Sequence, residues 1–177
     1  PSEWKQIGAD IDGEAADDRS GYSVSLSSDG TIVAIGAYNN DANGSNSGHV
    51  RVYQYVSGLY GSEWIQVGYD LDGEATNNYF GFSVSLSKDG SVLVAGAYGY
   101  NGSSGRAYTY ELIKQPTFKS IIKMGAPIDA EAAGDQSGYS VSSNADGTII
   151  AIGARYNDGN GTSSGHVRVY KYNGSSW

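Results

Sequence analysis

Apolar and polar positions alternate with a period of two from Tyr22 to Ser27. Tyr22, Val24 and Leu26 fall on one side of a strand, and Ser23, Ser25 and Ser27 on the other. An Asp-Gly pair at 29/30 follows, a hairpin signal because a tight turn there needs positive φ. The next run, Thr31–Ala37, is apolar on both faces, which predicts a strand in the middle of a sheet. After a glycine- and asparagine-rich loop, HVRVYQY alternates again, with Val50 and Val52 opposed to His49, Arg51 and Tyr53. The opening residues 1–11, PSEWKQIGADI, also alternate as a strand, with Ile7 across the pleat from Trp4 and Gln6.

The whole pattern is then repeated. GYSVSLS at Gly21 returns as GFSVSLS at Gly81 and GYSVSSN at Gly138, separations of 60 and 57 residues. Asp-Gly pairs recur at 89/90 and 146/147, and the small pair Gly36-Ala37 recurs as Gly96-Ala97 and Gly153-Ala154, where neighbouring sheets would approach closely. GSEWIQVGYDL (61–71) and FKSIIKMGAPI (118–128) match the opening strand. Four strands in each period of about 60 residues predict an all-β protein: three tandem four-stranded antiparallel blades of a β-propeller-like array. GYSVSLS is taken as the innermost strand and the tryptophan strand as the fourth, outermost one. The units are 1–60, 61–117 and 118–173, with 174–177 opening a further repeat. Propellers typically hold about 4–8 blades, so the expectation is a segment of a longer protein, completed by more chain or by other copies.

Composition narrows the picture. A net charge of −8 argues against nucleic acid or an anionic membrane as the main partner, since both need a basic surface. No run approaches the ~18 apolar residues of a membrane span. The absence of cysteine removes disulfides and thiolate metal sites and leaves the redox compartment open.

The order GYSVSLS, DG, VAIGAY and SGHVRVY resembles the FG-GAP repeats of integrin α-subunit propellers and related surface proteins. Gly81-Phe82 and Gly96-Ala97-Tyr98 stand near the two halves of that motif, and Gly48–Tyr53 resembles the strand that follows. The resemblance implies an extracellular or cell-surface protein used in adhesion, binding or matrix structure. One feature of integrin-type repeats is missing. Their acidic calcium loop between the first two strands is replaced by SSDGT, SKDGS or NADGT, too short to wrap an ion that takes 6–8 oxygens.

Candidate chemistry lies elsewhere. Asp10, Asp12 and Glu14, with Asp70, Asp72 and Glu74 in the second copy, alternate carboxylates around a glycine and form a calcium candidate. The competing reading has these acids capping loop amides, because the third copy has Pro127 and Ala130 where the first has Asp10 and Gly13. No other cofactor is expected. Asn43, Asn101, Asn160 and Asn173 head Asn-Gly-Ser/Thr sequons, the glycosylation candidates, although the same triplets are ordinary turn chemistry. His49 and His166 share a position held by Arg106 in the middle copy, which reads as a polar strand face, not as a metal site. Trp4 and Trp64, matched by Ile121, read as covers for sheet edges or gaps between blades.

A hydrolytic triad has no support, and acids that recur in every repeat do not make one asymmetric active site, so no enzyme is expected. The expected function is an extracellular structural or adhesive module acting through repeat-to-repeat assembly with other copies, and through contacts with glycans or surface proteins. The alternative is a carbohydrate-binding, lectin-like propeller using tyrosine faces and the loop acids.

Overall fold

A computed structural model describes residues 3–58, 61–113 and 120–177. The repeat boundaries placed at 60 and 117, and the first two residues of FKSIIKMGAPI, lie outside the described residues. The first sheet holds β1 (Ser23–Leu26), β2 (Ile32–Ala37), β3 (His49–Gly58) and β4 (Gly61–Gln66) in that order, with the short β5 (Leu71–Asp72) also on β3. The second repeats this plan with β6 (Phe80–Leu86), β7 (Val92–Ala97), β8 (Arg106–Ile113), β9 (Ser120–Lys123) and β10 (Ile128–Asp129). The third has β11 (Ser137–Ser143), β12 (Ile149–Ala154) and β13 (His166–Lys171). Every strand pairing is antiparallel. Apart from one helical turn at Tyr100–Ser103 the array is all-β and blade-like, and it does not close on itself.

The outermost strand is two pieces, not one. A turn at Gly68 (φ +71°) separates β4 from β5, and Gly125 (φ +67°) does the same between β9 and β10. Both pieces pair with the third strand of the preceding repeat, so each of the first two sheets is completed by the sequence unit that follows it. This also explains why the strand expected at the opening of the chain does not form. Residues 3–11 form no strand, because no third strand lies beside them to pair with, and Trp4 stands fully exposed.

The Asp-Gly turns form as expected, with Gly30, Gly90 and Gly147 near φ +70°. Their aspartates act as local clamps. Asp29 Oδ1 accepts from Ser27 Oγ (2.6 Å), Thr31 N (3.0 Å) and Thr31 Oγ1 (2.9 Å), and Asp146 accepts from both donors of Thr148. These donors favour the ionised form: the Ser27 hydroxyl, then Thr31, pull Asp29 down to about 2, and Asp146 is also lowered, chiefly by the Thr148 hydroxyl. A carboxyl with a depressed folded pKa adds stability above its unfolded pKa, and that stability is lost as pH falls through the folded value. The urea midpoint is therefore expected to drop as pH falls from about 4 to 2, with a shallower drop in Asp29→Asn.

The inner strands join the sheets, and their two faces do different work. The serine face meets the next sheet: Ser23 Oγ donates to Gly81 O (2.7 Å) and Ser83 Oγ to Gly138 O (2.8 Å). Leu86 N donates to Ser25 Oγ (2.9 Å), Ser143 N to Ser85 Oγ (3.0 Å), Ser28 N to Lys88 O and Lys88 N to Ala145 O. The apolar face meets the sheet before: Leu86 packs with Ile32, Ala34, Val50 and Val52, and Val141 with Val94 and Ala107. Glycine is required at the crossing point. A Cβ on Gly36 would meet Gly81 O, and one on Gly96 would meet Gly138 O, at 2.0 and 1.9 Å.

Candidate functional site

The loop that precedes each inner strand crosses the start of the third strand of its own sheet and brings acids over it. In the first sheet His49 opens β3 and lies opposite Asp72 of β5. Glu14 reaches over from the loop, with Oε2 3.5 Å from His49 Nδ1 and Oε1 3.8 Å from Arg51 Nη1. Arg51 is held in turn by the Asp12 carbonyl, which accepts from Nη2 at 2.6 Å. Ligand-capable atoms of Glu14, His49 and Asp70 all lie within 4.8 Å of one another. His49 is buried, at 1% exposure, and its Nδ1 has no hydrogen-bond partner. Burial, then the Arg51 charge, push the imidazole pKa down against the upward pull of Glu14, Asp70 and Asp72. Burial and the charge of Asp70 push Asp72 up.

The second sheet fills the same place with an arginine. Arg106 donates through Nε and Nη2 to the Asp129 carboxylate, the second at 3.0 Å, and through Nη1 to Glu74 Oε2 at 3.1 Å. Lys123 pairs with Glu74 Oε1 at 3.4 Å, and the Arg106 guanidinium stacks 3.6 Å over the Tyr100 ring. The third sheet restores histidine: His166 Nδ1 lies 3.6 Å from Glu131, and Arg168 Nη2 donates to the Asp129 carbonyl.

The six acids singled out in the sequence therefore separate. Glu14, Asp70 and Asp72 surround His49, and Glu74 holds Arg106. Asp10 lies apart, accepting from Gln6 Nε2 at 2.8 Å in a cleft that it shares with Asp12, Tyr53, Glu63 and Trp64. The neighbouring Asp18 caps its loop, accepting from Ala15 N (3.2 Å) and Asn40 Nδ2 (2.9 Å), and Asp135 repeats this with Ala132 and Asn157. All four sequon asparagines are exposed. Asn43 Nδ2 donates to Gly73 O and Asn173 Nδ2 to Ser176 Oγ, both at 3.0 Å, while Asn101 sits in the single helical turn Tyr100–Ser103 before β8 and Asn160 in the turn before β13. Trp64 lies over Gly8 and donates to Ile7 O (3.1 Å); Trp177 donates to Met124 O (3.3 Å), and Ile121 takes the same place over Gly68.

Sequence reasoning missed the pairing of His49 with acids from two different repeats. The available signal was the exchange of histidine for arginine beside fixed glutamates, which marks a place that holds a cation.

A third feature runs along the inner strands. Tyr22, Phe82 and Tyr139 form a row with centroids 4.9 and 4.8 Å apart, flanked by Tyr38 and Tyr98. The aromatics of the first two Gly-aromatic pairs thus each sit against their counterpart in the next sheet.

Three serially joined sheets with this glycine-aromatic contact define a blade-repeat protein. The FG-GAP repeat model matches residues 9–53, 71–110 and 127–170, and the chain belongs to that family. Among solved structures, hydrazine synthase of Kuenenia stuttgartiensis is similar at a TM-score of 0.45 and 14% identity, over 85% of this chain and 45% of that one. TolB from Acinetobacter baumannii is similar at a TM-score of 0.39 and 16% identity, over 88% and 33%. The chain thus spans less than half the length of either. No curated protein sequence matches it.

Proposed function

We propose that the chain is a non-catalytic, extracellular structural or adhesive module that works by joining blade to blade, its partner being a further repeat of the same kind, here a second copy of this chain. The observation that carries this reading is that its two end faces are the two halves of its own internal interface. Tyr22, Val24 and Leu26 are 53%, 61% and 58% exposed on the first sheet, whereas Leu86, the counterpart of Leu26, is 7% exposed. On the third sheet Val167 and Val169 are each 66% exposed, whereas their counterparts Val50 and Val52 are buried against the second sheet.

The polar groups match as well. Gly48 bridges to Phe80 and Gly105 to Ser137, which leaves Gly165 to meet Ser20 of another copy. Ser140 Oγ stands ready for Gly21 O as Ser23 and Ser83 do for Gly81 and Gly138. A cleft lined by Tyr139, Ser140, Gly153, Gly165, His166 and Val167 is the open counterpart of the place where the next inner strand enters in the first two sheets. Such a contact is head-to-tail, so it propagates or closes a ring according to the rotation per copy. Surface localisation and adhesion follow the family resemblance, and assembly supplies the means.

The test uses two single-face variants. Leu26→Lys and Val167→Lys should each stay monomeric, because a charge replaces an apolar contact on one face. Mixed together, they retain one intact pair of faces and should give a heterodimer that grows no further. Variants that still assemble alone, or a mixture that gives no dimer, would overturn the reading.

A further inference from the structure

The first sheet's histidine pocket differs from its counterpart in the second in its balance of acids and bases. In the second sheet Glu74 and Asp129 are balanced by the Arg106 guanidinium and the Lys123 ammonium, so two negative charges meet two positive ones. In the first sheet the corresponding acids, Glu14 and Asp72, are joined by a third, Asp70. Its counterpart in the second sheet is Pro127, so the extra carboxylate is present where the arginine is absent. Arg51 is the guanidinium close to Glu14, so three carboxylates gather around His49 with one arginine beside them.

We propose that Glu14, His49 and Asp70 form a binding site for one divalent transition-metal cation of the zinc class, at the position where the second repeat holds the Arg106 guanidinium. The acids alone would not make a site. The independent observation is His49: its side chain is 99% buried by its 1% exposure, its Nδ1 has no hydrogen-bond partner, and that nitrogen faces Glu14. A buried, unpartnered nitrogen is costly unless something satisfies it, and a metal ion accepts its lone pair.

Geometry and ligand type both agree with this ion class. Zinc holds nitrogen and oxygen ligands at about 2.0 Å, which places ligand atoms roughly 3.3 Å apart in a tetrahedron. The His49–Glu14 distance is already 3.5 Å, and the exposed Glu14 carboxylate has room to adjust while His49 stays fixed. Asp70 is oriented by Gln66, whose Nε2 donates to Oδ1 at 2.6 Å and leaves the second oxygen for the ion. Asn40 Nδ2, 3.5 Å from Glu14 Oε2, and Arg51 Nη1, 3.8 Å from Oε1, hold the glutamate over His49. Imidazole nitrogen with carboxylate oxygen suits zinc-like ions, whereas calcium takes 6–8 oxygen ligands, more than this pocket assembles. His166 has Glu131 beside it, but the position matching Asp70 belongs to the outer strand of a further repeat. Among the described residues only the first sheet gathers all three ligands, so one ion is expected there.

The experiment is calorimetric titration of the chelator-treated full chain with Zn2+, and separately with Ca2+, in parallel with four variants. The parent should bind one Zn2+ and show a higher thermal midpoint when loaded. Glu14→Gln and Asp70→Asn should weaken binding by about 10-fold or more, and His49→Arg by at least about 100-fold. His49→Arg supplies the second repeat's own solution, so it should fold and melt no lower than the metal-free parent, which separates loss of a ligand from loss of fold. His166→Gln should bind as the parent does. The proposal is overturned by absence of saturable Zn2+ binding, by His49→Arg binding like the parent, or by Ca2+ binding as tightly as Zn2+, which would mark an all-oxygen site.

Discussion

Gly96→Ala is expected to lower unfolding stability by about 3 kcal/mol or more, at the upper end of what overpacking costs. The new methyl would stand 1.9 Å from Gly138 O and 2.5 Å from Ser83 Oγ. A side chain can rotate away, but the Gly138 carbonyl belongs to the backbone of the next sheet, and moving it separates the two sheets. The Ser83–Gly138 hydrogen bond would go with it. Gly153 supplies the control. It occupies the same repeat position, but the one tight neighbour is the Ser140 hydroxyl, with Oγ at 2.3 Å, while the Ser140 Cβ and carbonyl oxygen stand at an ordinary 3.7 Å. A hydroxyl turns aside at small cost, so Gly153→Ala should lose less than about 1 kcal/mol. Urea unfolding of the two variants checks the contrast, and equal losses would contradict it.

Phe80→Ala is the second large effect, expected at about 3–5 kcal/mol, the range for truncating a buried aromatic. Phe80 is 1% exposed and meets Tyr108 edge-on at 5.2 Å and Tyr110 at 6.3 Å. Its ring belongs to the largest apolar cluster, which spans the first and second sheets. The other two repeats have Ser20 and Ser137 at this position, so the first junction relies on an aromatic plug that the second lacks. For a chain of this size the loss corresponds to a thermal midpoint lower by about 6–20 °C. The backbone bridge between Gly48 and position 80 does not need the ring, so far-ultraviolet circular dichroism should keep its β form below the new midpoint. An unchanged midpoint would mean that the two sheets are not held by this contact.

Much of the architecture was legible in the chain because strand physics is local. Alternation at Tyr22–Ser27, the two-faced apolar run at Ile32–Ala37 and the Asp-Gly turns each report their own surroundings, and each forms as read. The role of the serine face was not legible. Ser23, Ser25, Ser83 and Ser85 look like solvent-facing positions, yet they bond to the neighbouring sheet, and a polar residue carries no mark of whether water or a carbonyl will meet it. The outer strand was half-readable. Its residues alternate correctly in 1–11, but a strand also needs a partner, and pairing is a property of the neighbour. The His49 pocket was hidden for a related reason: Glu14 and Asp70 are 56 residues apart in sequence and belong to different repeat units, so no window along the chain contains the site.

One interface, built on a glycine with a carbonyl passing over it, joins sheets inside the chain, and the proposed assembly reuses it between copies. Sedimentation velocity of Gly153→Ala beside the parent, across a range of concentrations, tests this most directly. The parent should show concentration-dependent assembly, and the variant, equally well folded, should sediment as a monomer because its methyl blocks Gly21 of the incoming copy. A parent that stays monomeric throughout, or a variant that assembles as the parent does, would contradict the claim.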